Sequence, residues 1–312
     1  MVPPYGTSVS NIDYSTTGPT FEITRRGGMS YDDGTSPGGR PEIAPYPDWA
    51  VRYLVHKNPT ARDFTLKTAD LFASAYQGFL RGADQGIIRL DSRPHYWPDG
   101  RSYAGDKPVG DMDTVAPARI DNAHMPSIAY IPYLITGDRF YLDALKNLAA
   151  GAIMVWPDSV PYPRGGADGI MAVEQVRGFA WSLRNLADAA VSTPDDDPDK
   201  AYLTSKLFNN LNWLDSYART YQSPLGTLWP DKRDNYAVIR KIAPWEHYYL
   251  AWAVDHCQEL GFNAGTAYRD RVARFALSLF SNEANGYPRA YGAPYELAFG
   301  RIEADRLVYF QT

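Results

Sequence analysis

The sequence predicts a mainly all-α protein built from helical hairpins, and three observations lead to that prediction. Apolar residues recur at helical spacing in four segments, at residues 49–76, 128–156, 176–217 and 247–280. Each segment follows the same plan, in which an apolar helix and a short polar turn precede a second helix that opens with an aromatic residue. The stretches between the segments are rich in Pro, Gly, Asp and Tyr, a composition typical of loops.

The turns inside the hairpins carry residues that end one helix and begin the next. Gly137 can adopt the left-handed conformation that ends a helix, and Asp138 can cap the helix that follows. Asp197 precedes Pro198, which suits the first position of a helix. Each hairpin buries only one face of its two helices, so neighbouring hairpins must cover the remainder.

The spacing of these segments divides the chain into three predicted regions. They are an extended lead-in at residues 1–46, a helical domain at residues 47–285 and a tail at residues 286–312 that packs on it. In the tail, the runs "ELAFG" and "RLVYF" can pair as strands, which gives a few short strands near the termini. Three long loops each follow the second helix of a hairpin, at residues 84–119, 155–169 and 222–243. Stacked hairpins with their loops at one end describe an α/α toroid, and four hairpins indicate a reduced or open ring.

The amino-acid composition argues against some classes of binding partner and favours others. The net charge is −5 and no block of Lys or Arg exceeds a pair, which argues against a nucleic-acid or anionic-membrane partner. The 23 Tyr and 8 Trp residues suit either a well-packed core or a cleft that stacks on sugar rings. The single cysteine, Cys257, excludes an internal disulfide and is expected to be buried and inert. The chain does not begin with a signal-peptide pattern, and the sequence predicts no particular compartment. It also predicts neither an oligomeric state nor whether the chain is a fragment of a longer protein.

Asn122 and His124 stand at the start of a helix predicted over residues 123–135, because Pro126 fits best in the first turn of a helix. The exposed N–H groups of such a turn disfavour a protonated imidazole, so His124 is expected to be neutral and suited to act as a base or hydrogen-bond donor. Alternatively, Asn122 only caps the helix and His124 bonds the neighbouring backbone. Pro132 lies inside the same predicted helix and is expected to kink it.

A helix predicted over residues 169–191 presents a polar face opposite its apolar stripe. Arg177 and Trp181 are four residues apart and share that face, where a guanidinium could hold a carboxylate while an indole stacks on a sugar ring. The alternative is a solvated face with Trp181 packed on the next hairpin. Further ligand candidates on the same face are Glu174, Gln175 and Arg184.

Another predicted helix begins in "APWEHYYLAWAVDH", residues 243–256. Its first turn holds Trp245, Glu246, His247 and Tyr248, either as ligand contacts or as core aromatics with Glu246 complementing the helix N-terminus. Aromatic residues in the long loops are candidate sugar platforms or loop anchors: Trp97, Trp156 and Trp229. The loops also hold Asp91, Asp99, Asp111, Asp113 and Asp168. Because no EF-hand spacing occurs, the sequence predicts no metal or other cofactor, with calcium as the alternative.

The order of "GRPEI", "DNAHMPSIAYIPYLITGD" and "QVRGFAWSLRNL" over residues 38–260 resembles uncharacterised bacterial toroid proteins. The sequence pattern "H…Y…TGDxxYLDA" at residues 124–144 is also similar to that of α/α-toroid carbohydrate-active enzymes, including polysaccharide lyases and unsaturated-glucuronyl hydrolases. The resemblance to lyases implies that Asn122 and His124 neutralise a uronate carboxylate. It also implies that a tyrosine, either Tyr248 or Tyr249, takes the proton beside the carboxylate and protonates the leaving oxygen.

These observations favour a lyase-like enzyme that cleaves a uronic-acid-containing glycan by β-elimination. Its predicted catalytic residues are His124, Tyr248, Asn122 and Arg177, and its predicted substrate contacts are Trp181, Trp156, Trp97, Trp229, Trp245, Gln175, His247 and Arg184. A glycoside hydrolase on the same toroid, with Glu174 and Glu246 as its paired carboxylates, is the first alternative. A toroid that binds glycans without catalysis is the second alternative, and a helical scaffold for protein partners is a further one.

Overall fold

The computed structural model describes residues 45–73, 86–94, 125–154, 166–171, 176–220, 241–281, 295, 297–298, 300–303 and 306–309. The described residues are mainly helical, which confirms the prediction of a mainly all-α protein. Their α-helices are α1 (Asp48–His56), α2 (Pro59–Phe72), α3 (Tyr130–Thr136), α4 (Arg139–Ile153), α5 (Val176–Ser192), α6 (Asp199–Thr220), α7 (Pro244–Glu259) and α8 (Thr266–Ser281). None of these helices is long and apolar enough to cross a membrane.

The helices pack as four consecutive hairpins, α1–α2, α3–α4, α5–α6 and α7–α8. The turn chemistry of the second hairpin confirms its prediction, because Gly137 has φ 68° and Asp138 Oδ1 accepts a hydrogen bond from Phe140 N at 2.9 Å. In the third hairpin, Asp197 Oδ1 accepts from Asp199 N at 2.9 Å. These local contacts fix where each second helix begins.

The first helices of the last three hairpins, α3, α5 and α7, lie side by side and run in the same direction. Between α5 and α7, Arg177 faces Glu246 and, further along both helices, Asp188 faces His256. Along α3 and α5, Ser127 bonds Asp188 before Tyr133 OH donates to Ser192 O. This parallel arrangement places the N-terminal ends of α5 and α7 next to each other.

The second helices α6 and α8 form a corresponding parallel pair. Asp215 Oδ1 accepts from Tyr268 N at 3.1 Å, and one turn later Arg271 Nη1 donates to Ala218 O at 2.7 Å. Helix α5 is the centre of the core, since it packs against α3, α4, α6 and α7. Its residues are buried from Val176 to Ala190, so the alternative interpretation of its polar face as solvated is wrong.

Two helix starts differ from their predictions. Helix α3 begins at Tyr130, so Pro126 precedes the helix and Pro132 occupies its first turn, where the missing N–H costs no intrahelical bond. Pro132 therefore does not lie in the helix interior. Helix α5 begins at Val176, and Gly169–Met171, predicted to be helical, lie outside any helix.

The predicted strand runs near the C-terminus form strands, and they pair with each other at one position, where Gly300 of "ELAFG" lies opposite Tyr309 of "RLVYF". Strand β1 (Lys241–Ile242) pairs antiparallel with β2 (Leu297–Ala298), which joins the tail to the segment before α7. Strand β3 (Gly300–Glu303) pairs antiparallel with β4 (Arg306–Tyr309). The run "ELAFG" thus contributes its Leu297 and Ala298 to a contact with the helical domain and its Gly300 to the strand that pairs with "RLVYF".

Replacing Gly169 by alanine is expected to lower the unfolding free energy by about 2 kcal/mol. Its φ is +69°, and an added Cβ would lie 2.8 Å from Ile153 Cγ2 and 3.2 Å from Lys206 Cδ. Gly137 is a matched control because its φ is +68° with nothing within 4 Å of an added Cβ. The alanine variant at Gly137 is expected to lose only about 1 kcal/mol, the cost of the left-handed backbone alone. Urea-induced unfolding measures both, and equal losses would contradict the role of close packing at Gly169.

Candidate functional site

A guanidinium close to two indole rings lies where α5 and α7 begin. Arg177 Cζ is 5.6 Å from the ring centroid of Trp181 and 5.7 Å from that of Trp245. Trp181 is one turn after Arg177 on α5, whereas Trp245 is in the first turn of α7. The predicted common face of Arg177 and Trp181 is therefore present, with an additional aromatic residue from the neighbouring helix. We call Arg177, Trp181, Trp245 and Glu246 the Arg177 cluster.

The carboxylate of Glu246 balances the charge of Arg177 without a hydrogen bond between them. Arg177 Nε is 3.9 Å from Glu246 Oε1, which is too long for a hydrogen bond. Arg177 is 5% exposed and Glu246 is 1% exposed, so both charges are desolvated. Among the described residues, no acceptor lies within hydrogen-bond distance of Arg177 Nε or Nη1. Arginine is purely a donor, so these two buried N–H groups are suited to receive acceptor oxygens from a ligand.

His247 follows Glu246 in the first turns of α7 and is buried. Burial lowers its pKa from 6.5 to about 4, because the charged imidazolium loses its hydration. The side chain is consequently neutral at pH 7. The sequence predicted a neutral histidine at His124 from helix electrostatics, but the described structure provides one at His247 through desolvation.

The two candidate tyrosines lie on different faces of α7. The Tyr248 ring is 5.9 Å from that of Phe280 and packs on the cluster formed by Ile242, Phe275, Leu279 and Leu297, away from α5. Tyr249 faces α5, where its hydroxyl accepts from Arg184 Nη1 at 2.8 Å and its ring is 5.2 Å from that of Trp181. Burial raises the pKa of Tyr249 to about 12. The structure therefore brings Tyr249, and not Tyr248, towards the Arg177 cluster.

Arg184 lies two turns after Arg177 on α5 and is fully buried. Its guanidinium donates to Pro45 O at 3.0 Å and to Met125 O at 2.8 Å, so it joins two non-helical segments to α5. The sequence predicted a ligand contact at Arg184, but the observed contacts are with protein atoms. One turn further along, Asp188 is 2.7 Å from His256 Nε2 and accepts from Ser127 Oγ. We call Arg184, Asp188 and His256 the buried polar core.

Desolvation also affects the acid of the buried polar core. Burial raises the pKa of Asp188, while His256 and Arg184 oppose that rise. Tyr46 OH lies 3.2 Å from His256 Nε2, which adds a residue from the segment before α1. Sequence analysis did not identify Tyr46, His256 or Ser127 as members of this network. The only signal was the spacing of Glu246, Tyr249 and His256 along one side of α7.

Seven of the predicted site residues lie outside the described part of the chain: Asn122, His124, Glu174, Gln175, Trp97, Trp156 and Trp229. The same holds for Asp99, Asp111 and Asp113. Of the other loop acids, Asp91 Oδ1 pairs with Lys206 Nζ at 2.5 Å, and the backbone carbonyl of Asp168 accepts from Asn209. Within the described ranges, no group of three or more His, Cys, Asp or Glu residues is arranged to hold a metal ion.

Cys257 is buried in α7, as predicted, and burial raises the pKa of its thiol.

Comparison with models of protein families, with curated proteins and with solved structures gives no significant match. Functional inference for this chain therefore depends on the residues and their geometry.

Proposed function

We propose that the protein is a polysaccharide lyase-like enzyme that binds a uronate-containing glycan at the Arg177 cluster and cleaves it by β-elimination. The observation that carries the proposal is the Arg177 guanidinium, which lies within 6 Å of the ring centroids of Trp181 and Trp245 and has two nitrogen donors that lack acceptors among the described residues. A sugar acid combines an apolar ring face with a planar carboxylate. Indole faces suit the first and a guanidinium suits the second.

The helix arrangement supports an α/α toroid as the fold behind this site. In such a ring the first helices of the hairpins would form an inner layer and the second helices an outer layer. Neighbouring helices within each layer of such a ring run parallel. Helices α5 and α7 would be parallel neighbours of the inner layer, and α6 and α8 would be parallel neighbours of the outer layer. The four described hairpins would form a sector of the ring or a reduced ring. The Arg177 cluster would then lie at the end of the inner layer where the long loops were predicted to gather.

The chemistry of β-elimination requires a stabilised carboxylate because its charge increases when the adjacent proton is removed. Arg177 would stabilise that developing charge in a desolvated site, where electrostatic interactions are strong. Tyr249 is protonated at neutral pH, since its pKa is about 12, and is therefore suited to protonate the leaving oxygen. In this proposal Asn122 assists with the carboxylate, and His124 remains the expected base.

Arg177→Ala is expected to lower kcat/KM for a uronate polysaccharide by about 10- to 100-fold, because charge-assisted hydrogen bonds contribute about 1.5–3 kcal/mol. The assay follows the ultraviolet absorbance of the unsaturated sugar end that β-elimination creates. Arg177→Lys is expected to recover part of the loss, since it restores the charge without the planar pair of donors. The control is Arg139→Ala, whose side chain is 82% exposed at the start of α4.

The assay also separates the proposal from its rivals. Full activity in Arg177→Ala, with correct folding checked by circular dichroism, would contradict the carboxylate clamp. New reducing ends without the ultraviolet absorbance would identify a glycoside hydrolase. Binding of uronate glycans without any product would identify a non-catalytic binding protein.

A further inference from the structure

The C-terminal tail brings an exposed aromatic ring to the Arg177 cluster. The centroid of the Tyr295 ring lies 5.5 Å from that of Trp245, and the two ring planes are tilted by 39°. The position of Tyr295 is set by the strand that follows it, because Leu297 is buried and pairs with Ile242, shortly before Trp245 in the chain. Strand pairing therefore holds a tyrosine of the tail beside the first turn of α7.

Exposure to solvent decreases from this tyrosine towards the guanidinium. Tyr295 is 44% exposed and Trp245 is partly buried, whereas Trp181 and Arg177 are 3% and 5% exposed. Trp245 contacts both ends of this series, since its ring centroid is 5.5 Å from that of Tyr295 and 5.7 Å from Arg177 Cζ. A chain-like ligand held at Arg177 has to leave the buried cluster, and among these described rings the one that faces solvent is Tyr295.

The Arg177 cluster also holds donors in addition to those that suit a carboxylate. Besides Arg177 Nε and Nη1, the indole Nε1 atoms of Trp181 and Trp245 are buried and lack acceptors among the described residues. A buried N–H group without an acceptor costs free energy, so each favours a ligand that supplies an oxygen. The two oxygens of a carboxylate match the two guanidinium donors. Hydroxyl and glycosidic oxygens of a glycan are suited to the indole donors.

We propose that Tyr295 binds the sugar unit next to the uronate, so that the tail completes a site for a glycan chain rather than for a single sugar acid. This inference rests on the proposed function, since it takes Arg177 as the carboxylate site. The face of a pyranose ring is apolar, and a tyrosine ring that is already held in place binds it at little cost in conformational entropy. Binding energy from this second unit contributes to kcat/KM although the unit itself does not react.

The test compares Tyr295→Ala with the wild-type protein on ligands of two lengths. Tyr295→Ala is expected to lower kcat/KM for a uronate polysaccharide by about 3- to 10-fold, the effect of one lost aromatic contact. Isothermal titration calorimetry gives the Kd of the methyl glycosides of glucuronic, galacturonic and mannuronic acid. Because these ligands have no second sugar unit, their Kd should change by less than about twofold. Tyr295→Phe keeps the ring and is expected to keep both values.

The matched control is Phe140→Ala. Phe140 is 43% exposed and its ring centroid is 5.5 Å from that of Tyr141, so it resembles Tyr295 in exposure and in its contact with an aromatic neighbour. It lies in the first turn of α4 and belongs to a different hairpin from the Arg177 cluster. Its removal is expected to change neither kcat/KM nor the Kd of the methyl glycosides. Circular dichroism checks the folding of each variant.

The possible results are distinguishable. Equal losses for the polysaccharide and the methyl glycosides in Tyr295→Ala would overturn the inference, because the ring would then only hold Trp245 in position. Unchanged values for both ligands would also overturn it. If the polysaccharide binds without being cleaved, its Kd replaces kcat/KM, and a selective loss in Tyr295→Ala would support the inference while the proposed elimination fails. If uronates of neither length bind, the carboxylate clamp and the inference both fail.

Discussion

Replacing Arg184 by methionine is expected to lower the unfolding free energy by about 3–5 kcal/mol, the typical cost of removing one member of a buried charged pair. Arg184 is fully buried, and its guanidinium donates to Tyr249, Met125 O and Pro45 O. Methionine fills a similar volume but leaves these oxygens without their donor. It also removes a positive charge that lowers the pKa of Asp188. Urea-induced unfolding followed by circular dichroism measures the loss.

The control for Arg184 is Arg139→Met. Its side chain is 82% exposed and lies 3.9 Å from Asp143, so its loss should stay within roughly 0.5 kcal/mol. Adding Asp188→Asn to Arg184→Met is expected to recover part of the stability, because the remaining negative charge is removed. A loss below about 1 kcal/mol for Arg184→Met would mean that the buried polar core does not organise the interface of α5 and α7.

Acidification from pH 6.5 to pH 4 is expected to cost about 3 kcal/mol of stability through His247 alone. Burial lowers the pKa of His247 to about 4 in the folded protein, against 6.5 for the unfolded chain. Below pH 6.5 the unfolded state therefore binds a proton that the folded state still excludes, which favours unfolding. The contribution is fully present above pH 6.5, falls as the pH decreases and levels off near pH 4, where the folded state also becomes protonated.

Comparison of variants isolates this contribution from other titrating groups. His247→Gln does not titrate at this position, so the difference in unfolding free energy between wild type and variant should change by about 3 kcal/mol over this pH range. A constant difference for His247→Gln would show that the imidazole is hydrated in the folded protein.

The sequence predicted the hairpins because their signals are local. Gly137 and Asp138 act within one turn of chain, and the spacing of apolar residues depends only on the helical period. The start of α3 was wrong because two prolines, Pro126 and Pro132, lie within seven residues of each other and either could begin a helix. Only the folded chain distinguishes between them, since the segment before Tyr130 is held by contacts with α5.

The candidate site was predictable only in part. Helical spacing placed Arg177 and Trp181 on one face, but it could not identify what covers that face. Trp245 and Glu246 reach it from a helix that begins more than sixty residues later in the chain. For the same reason Arg184 seemed suited to a ligand, whereas its acceptors come from residues 45, 125 and 249. A polar helix face predicts an interaction without specifying whether protein or ligand supplies it.

The position of Tyr46 has a consequence for how the chain reaches its native state. Its hydroxyl meets His256, 210 residues away in sequence, and its ring stacks on Tyr130 at 5.8 Å. Ribosomal synthesis releases Tyr46 long before the residues of α7 exist, so this contact must form after most of the chain has emerged. Closing so long a loop carries an entropic cost that local hairpins do not have. The hairpins can therefore assemble one after another during translation, whereas the contact of Tyr46 with His256 can form only after α7 has been synthesised.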